Sequence, residues 1–285
     1  MRERRVWLVL VAVVAAIGFV YWRTLSSLVQ QWASDDNYSH GFFVVPLALY
    51  FAWERRPALV AAEARPAAAG AAVIALSLAV WLAGTFGAEL FLTRVSLIGV
   101  IAGTVWFLWG WHHLRILAFP VLFLFLMVPL PAIIFNQIAF PLQLFASQVG
   151  EQVISAAGIP VLRDGNILRL PSRTLEVAEA CSGIRSLVSL IMLGVVLGYF
   201  TERRLGPRIL IAVSAVPIAI LANATRVAGT GIAAEWVSPK AADGFFHTFS
   251  GWLVFIVAFI GLMAVQQAAT RIAARRHSPA EMGVA

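Results

Sequence analysis

The sequence predicts an all-α integral membrane protein: a bundle of about eight transmembrane helices, with a small interfacial helix and a β-hairpin region on its outer face before the helix that follows Cys181. Three observations carry that expectation. Of the 285 residues, 61% are hydrophobic and only 12% charged, against roughly half and a quarter in soluble domains. Mean hydropathy is +0.86. The apolar residues also fall in long runs separated by short arginine-bearing connections, and crossing about 30 Å of hydrocarbon takes some 17–25 such residues in a helix. The formal charge of +7 does not suggest nucleic acid, because the basic residues cluster between apolar runs rather than along one amphipathic face.

Taken in order, the expected spans are Val6–Trp22, Tyr38–Trp53, Ala67–Phe86, Leu90–Gly110, Leu114–Leu130, Ser182–Phe200, Ile209–Thr225 and Phe246–Gln266. Backbone groups find no water partner in lipid, so each must be helical. The second is the shortest and contains Pro46. Val6–Trp22 follows a charged head, Met1-Arg2-Glu3-Arg4-Arg5, and ends without a small-x-small cleavage site, so a retained signal anchor is expected. Cytoplasmic connections should hold the arginine excess. With the N-terminus inside, that set is Arg2, Arg4, Arg5, Arg55, Arg56, Arg65, Arg115, Arg203, Arg204, Arg208, Arg271, Arg275 and Arg276, and both termini are cytoplasmic.

Between about residues 131 and 180 the pattern changes. Ile133 to Ile159 is apolar but carries Asn136, Gln137, Gln143, Gln148, Glu151 and Gln152, and Pro141 interrupts it. Polar side chains are costly in hydrocarbon, so one or two helices along the outer interface are expected, the alternative being a ninth span that would invert everything after it. Ile159–Leu162 and Ile167–Leu170 flank Arg163-Asp164-Gly165-Asn166, a short-range hairpin signal. A third extended piece, Thr174–Ala178, leads towards Cys181. The whole reads as one multi-span membrane domain, residues 1–285, with this outer-face insertion.

Cys181 is the sole cysteine, so no internal disulfide is possible. A cysteine in a membrane helix is commonly a small apolar group. Here Ser182-Gly183 follows it and suits a helix start, where unpaired amides and the positive dipole end favour the thiolate. The same amides suit an oxyanion. Arg185, four residues on, shares the face and adds positive charge. Arg226 follows Asn223-Ala224-Thr225 at the end of the seventh run; alone it reads equally as a snorkelling interfacial arginine. Asn223 and Arg226, three apart, share a helix face, which favours a polar notch. His247 opens the eighth run and is suited to proton transfer near neutral pH, although isolated histidines near an interface are often structural. His40, in Asp35-Asp36-Asn37-Tyr38-Ser39-His40-Gly41, is placed at the outer face as a candidate lining residue of a substrate entrance. His112 and His113 sit with Trp111 and Arg115 as inner-face anchors. No histidine pair has helical ligand spacing, so no metal and no cofactor are expected.

Glu179-Ala180-Cys181-Ser182-Gly183-Ile184-Arg185, then Asn223-Ala224-Thr225-Arg226, then His247 resemble the exosortase family, within the exosortase/archaeosortase group. Asp35 to Gly41 is similar to what that family shows after its first span, and the likeness runs from about Asp35 to Gly261. The resemblance implies a bacterial cytoplasmic-membrane cysteine protease-transpeptidase whose site faces the periplasm. Its substrates would be exported proteins ending in a Pro-Glu-Pro type motif, an apolar helix and a basic end, in connection with surface protein sorting and exopolysaccharide. Cys181 would form a thioester, Arg226 stabilise the site and His247 act as acid and base, with Arg185, Ser182, Gly183, Asn223 and His40 supporting or binding substrate. An unidentified acceptor amine, or water, would release the chain. Because the sequence stops at Ala285, the form without an additional C-terminal soluble domain is expected.

Two other classes stay open on sequence grounds. A channel or transporter would use intramembrane polar groups such as Arg94, Asn223 and Arg226 as a pathway, although carboxylates deep in the spans and paired broken helices are missing from the pattern. A scaffold for polysaccharide export would leave Cys181 free to vary.

Overall fold

The computed structural model describes residues 2–177, 184–238 and 244–275, with side chains described for 8–177, 186–238 and 251–271. It divides into two compact units, Met1–Ala132 and Ile133–Ala285.

The first unit begins with α1 (Arg2–Val20) and α2 (Trp22–Ser34), which meet at Tyr21 with a bend of 69° between their axes. Tyr21 is buried, and its hydroxyl lies 3.1 Å from Ser96 Oγ. Ser96 Oγ already donates to the Thr93 carbonyl, so the Tyr21 hydroxyl is the donor of the pair. A turn of 3-10 helix at Asp36–Tyr38 leads into α3 (Gly41–Glu54), followed by α4 (Arg56–Ala61). Next come α5 (Ala68–Phe86) and α6 (Leu90–Trp109), an antiparallel pair joined through Gly87-Ala88-Glu89. Glu89 caps α6 by accepting from the Leu92 amide at 2.9 Å. Small residues bring the two helices together: at Gly70 a Cβ would collide with the Phe107 backbone, and Gly103 lies against the Ile74 and Gly70 backbones. Such close approach is the usual basis of helix packing in lipid.

The segment after α6 departs from expectation. Gly110 adopts φ 93°, and Leu114–Leu130 forms α7 (Trp111–Ile116), α8 (Ala118–Phe123) and a 3-10 turn at Leu124–Met127 in place of one span. This broken stretch packs on α2 and α3. Trp32 Nε1–H donates to the Met127 carbonyl at 3.0 Å, and Phe51 meets Phe119 and Phe123 edge to face.

The second unit opens with α9 (Ala132–Ala156), a single helix running through Pro141 where the sequence suggested one or two helices along the outer interface. Its buried stripe, Phe135, Ala139, Gln143, Ala146, Ser147, Gly150 and Ile154, takes in Gln143 and Ser147, and Ser147 Oγ–H donates to the Gln143 carbonyl. Asn136, Gln137, Gln148 and Gln152 fall on the other, exposed faces. The polar residues thus do not prevent a continuous helix. Strands β1 (Leu162–Asp164), β2 (Ile167–Arg169) and β3 (Thr174–Glu176) then form an antiparallel sheet in that order. The expected hairpin is present, with Gly165 at φ 63° in its turn. Helices α10 (Ile184–Thr201), α11 (Leu205–Trp236) and α12 (Gly244–Arg275) complete the unit. Their shared core is Leu190, Ile211, Ala215, Ala219, Ala258 and Leu262.

An all-α membrane architecture stands, but the count of eight spans does not. Among the described residues five helices, α5, α6, α9, α11 and α12, are long and apolar enough to cross a bilayer, or six if the bent α1–α2 pair is one crossing, so α9, expected along the interface, is itself a candidate span. The shortfall has local causes: α3 is cut to 14 residues, Leu114–Leu130 is broken, and α10 is a shorter apolar helix where its side chains are described.

Candidate active site

Three neighbouring elements pack along the part of α11 that carries residues 223–227. The first is α10. Gly194 faces the Ala212 backbone and Gly198 the Arg208 backbone, so closely that a Cβ on either would lie 3.2 Å from the opposing Cα. This antiparallel register, carried along the helices, brings the first residue of α10, Ile184, level with Ala222. Leu187 and Ala222 pack on the same apolar cluster, in agreement. The start of α10 therefore lies beside the turn of α11 that carries Asn223 and Arg226.

The second is α12. A Cβ placed on Gly251 would lie 3.4 Å from Cζ and Nη2 of Arg226 and 3.8 Å from its Nε, so the guanidinium lies against the bare backbone of α12. His247 precedes Gly251 by four residues and shares its helix face. A side chain reaching beyond Cβ towards Arg226 from Gly251 would compete with the guanidinium for this space.

The third is the sheet. Val227, Ile154, Leu168, Leu170 and Val177 form one buried cluster, and the adjacent Gly150 approaches Val227 so closely that a Cβ there would lie 2.8 Å from its Cγ1. Beyond β3 the chain runs on to Cys181. Asn223 is buried on the same turn of α11, and Arg226 is half-buried. A planar guanidinium at this position is suited to a carboxylate or an oxyanion through a bidentate fork.

Other expected site residues stand as follows. Cys181, Ser182 and Gly183 lie outside the described residues, as do the side chains of Arg185 and His247, whose backbones begin α10 and α12 respectively. His40 belongs to the first unit, where its ring is buried and Nε2 sits 3.1 Å from the Leu126 carbonyl. A carbonyl only accepts, so Nε2 carries a proton and the ring joins α3 to the broken segment. Arg94 is also in the first unit, in the second turn of α6 and buried; among the described residues its Nε has no hydrogen-bond partner. His113 is buried, unlike the exposed His112.

Sequence reasoning passed over Gly251, although its spacing from His247 and the preceding Ser250 offered a signal. It also passed over Glu235, whose partner Ser172 is 63 residues away and carries no local signal.

A family model for transmembrane exosortases (Exosortase_EpsH) matches residues 32–264. No curated protein and no solved structure matches the chain. The matched region runs from the end of α2 through most of α12 and includes the cysteine, arginine and histidine motifs; this multi-span membrane protein belongs to the transmembrane exosortase family.

Proposed function

We propose that this chain is a cysteine protease-transpeptidase acting on exported proteins that carry a C-terminal sorting signal, with Cys181, Arg226 and His247 as its reacting and stabilising groups. The observation supporting it is the seat of the Arg226 guanidinium on Gly251, one helical turn from His247. Exosortases act on such exported proteins, and the order of motifs here matches that chemistry.

The reaction proceeds in two halves. His247 removes the Cys181 thiol proton, and the sulfur attacks the scissile carbonyl, giving a tetrahedral oxyanion. Arg226 and the backbone amides opening the α10 segment stabilise that charge. The imidazolium returns its proton to the departing amine, leaving a thioester. An acceptor amine, or water, then gives up a proton to His247, adds to the thioester and expels the thiolate. Asn223 supports the arginine, Arg185 adds positive charge near the sulfur, and His40 supports the first unit through its carbonyl contact.

The site end of the second unit is assigned to the outside of a bacterial cytoplasmic membrane. The opposite end carries Arg203 and Arg204 in the short α10–α11 turn, Arg208 beside it and Arg271 and Arg275 at the end of α12, and short arginine-bearing connections stay cytoplasmic. This assignment uses the second unit alone and does not depend on the total number of spans.

The test is Cys181→Ala in the full chain, expressed with an exported reporter ending in a short motif, an apolar helix and a basic tail. Loss of reporter cleavage at unchanged protein level is the expected result. Continued cleavage, with the new C-terminus unchanged by mass spectrometry, would remove Cys181 from the reaction and leave transport or scaffolding in its place.

A further inference from the structure

Glu235 stands in the last turn of α11, and one of its carboxylate oxygens accepts two hydrogen bonds from Ser172: from the backbone amide at 2.9 Å and from the hydroxyl at 2.5 Å. Ser172 lies in the turn joining β2 to β3, which is closed by the Leu170 amide donating to the Arg173 carbonyl at 2.8 Å. Val227, Gly231 and Glu235 follow one another at four-residue intervals, so they form a single stripe along α11. Each meets the sheet region. Val227 packs in the cluster with Leu168, Gly231 leaves room for Ile154 and for Leu175 of β3, and Glu235 holds the turn at Ser172.

The apolar contacts along this stripe are non-directional, whereas a carboxylate shared between an N–H and an O–H fixes distance and angle. At the other end of β3 the Val177 amide donates to the Asn166 carbonyl at 2.8 Å, so β3 is held at both ends before the chain runs on to Cys181. We infer that Glu235 is a positioning residue: by clasping Ser172 it fixes the register of β3 on α11, and so the approach of the Cys181 segment to Arg226. The inference rests on the reading of Cys181 as nucleophile, and Glu235 itself touches no reacting atom.

Three substitutions separate geometry from charge. Glu235→Gln keeps the accepting oxygen at the same reach, Glu235→Asp keeps the charge but shortens the arm, and Glu235→Ala removes both. Two readouts are measured on the full chain in membranes: kcat and KM for reporter cleavage, and the rate at which N-ethylmaleimide alkylates Cys181, the only cysteine. Misplacing a reacting group costs rate steeply, so Glu235→Ala and Glu235→Asp are expected to lower kcat on the order of tenfold, with KM nearly unchanged. Both should alter the alkylation rate, and Glu235→Gln should restore both readouts. Wild-type kcat and alkylation in Glu235→Asp overturn the inference, as does a Gln variant no better than Asp. Should Glu235→Ala fail to accumulate, the Gln and Asp pair decides. Cleavage that survives Cys181→Ala sinks the nucleophile assignment separately, since alkylation still reports whether the clasp positions the segment.

Discussion

Gly251 is the position where activity and stability should part company. A Cβ at this residue would stand 3.4 Å from Arg226 Cζ and Nη2, at ordinary van der Waals distance, so Gly251→Ala fits without moving the guanidinium. Alanine is also the better helix former, by about 1 kcal/mol. Gly251→Val differs because its γ-carbons reach about 1.5 Å beyond Cβ. On the arginine side there is no such clearance, so the guanidinium must shift by about 1 Å, and a displacement of that size is associated with rate losses on the order of a hundredfold. The valine variant should therefore fold, with a thermal midpoint in detergent close to that of the parent, while cleaving the reporter about a hundredfold more slowly. The alanine variant should cleave near the parental rate and melt no lower. Reporter cleavage followed by gel shift, alongside thermal unfolding of the purified protein, reads both quantities. Parental cleavage by a folded Gly251→Val protein would refute the idea that the guanidinium works from its seat on Gly251. So would an alanine variant as slow as the valine variant, because the smaller group does not reach the arginine.

Arg226→Lys keeps the charge but replaces a planar five-donor fork with a point charge; cleavage should fall by up to about the hundredfold or more that loss of an oxyanion donor costs, and a lysine variant within about twofold of the parent would show that charge alone suffices. Gly70→Val should prevent accumulation of folded protein, since the added carbon meets the Phe107 backbone, which cannot rotate away; recovery of parental amounts after detergent extraction would contradict the α5–α6 packing. Removing the ion pair between Arg163 Nε and Glu151 Oε2, 2.8 Å apart with both side chains about a third exposed, by Glu151→Gln should cost no more than about 1 kcal/mol; a larger loss in thermal or denaturant unfolding would mean the pair holds the hairpin on α9.

What the sequence determined by itself is local. Long apolar runs require helices because lipid offers the backbone no alternative partner, and Ala68–Phe86 and Leu90–Trp109 duly form. Gly165 between alternating residues specifies a hairpin turn because positive φ is readily accessible to glycine. The order of the cysteine, arginine and histidine motifs was equally legible, since a motif is a short-range pattern. Tertiary structure decided what depends on distant partners. Hydropathy alone cannot tell a straight span from Leu114–Leu130, where Phe51 packs on Phe119 and the Leu126 and Met127 carbonyls accept from His40 and Trp32. Nor can it foresee that α9 continues through Pro141 and hides Gln143 and Ser147 along one packed stripe. The Arg226 guanidinium on Gly251 and the Glu235 carboxylate on Ser172 join residues far apart in the chain. Their pairing follows from the register of α11 against α12 and the sheet, a property of packed helices that residue order does not express.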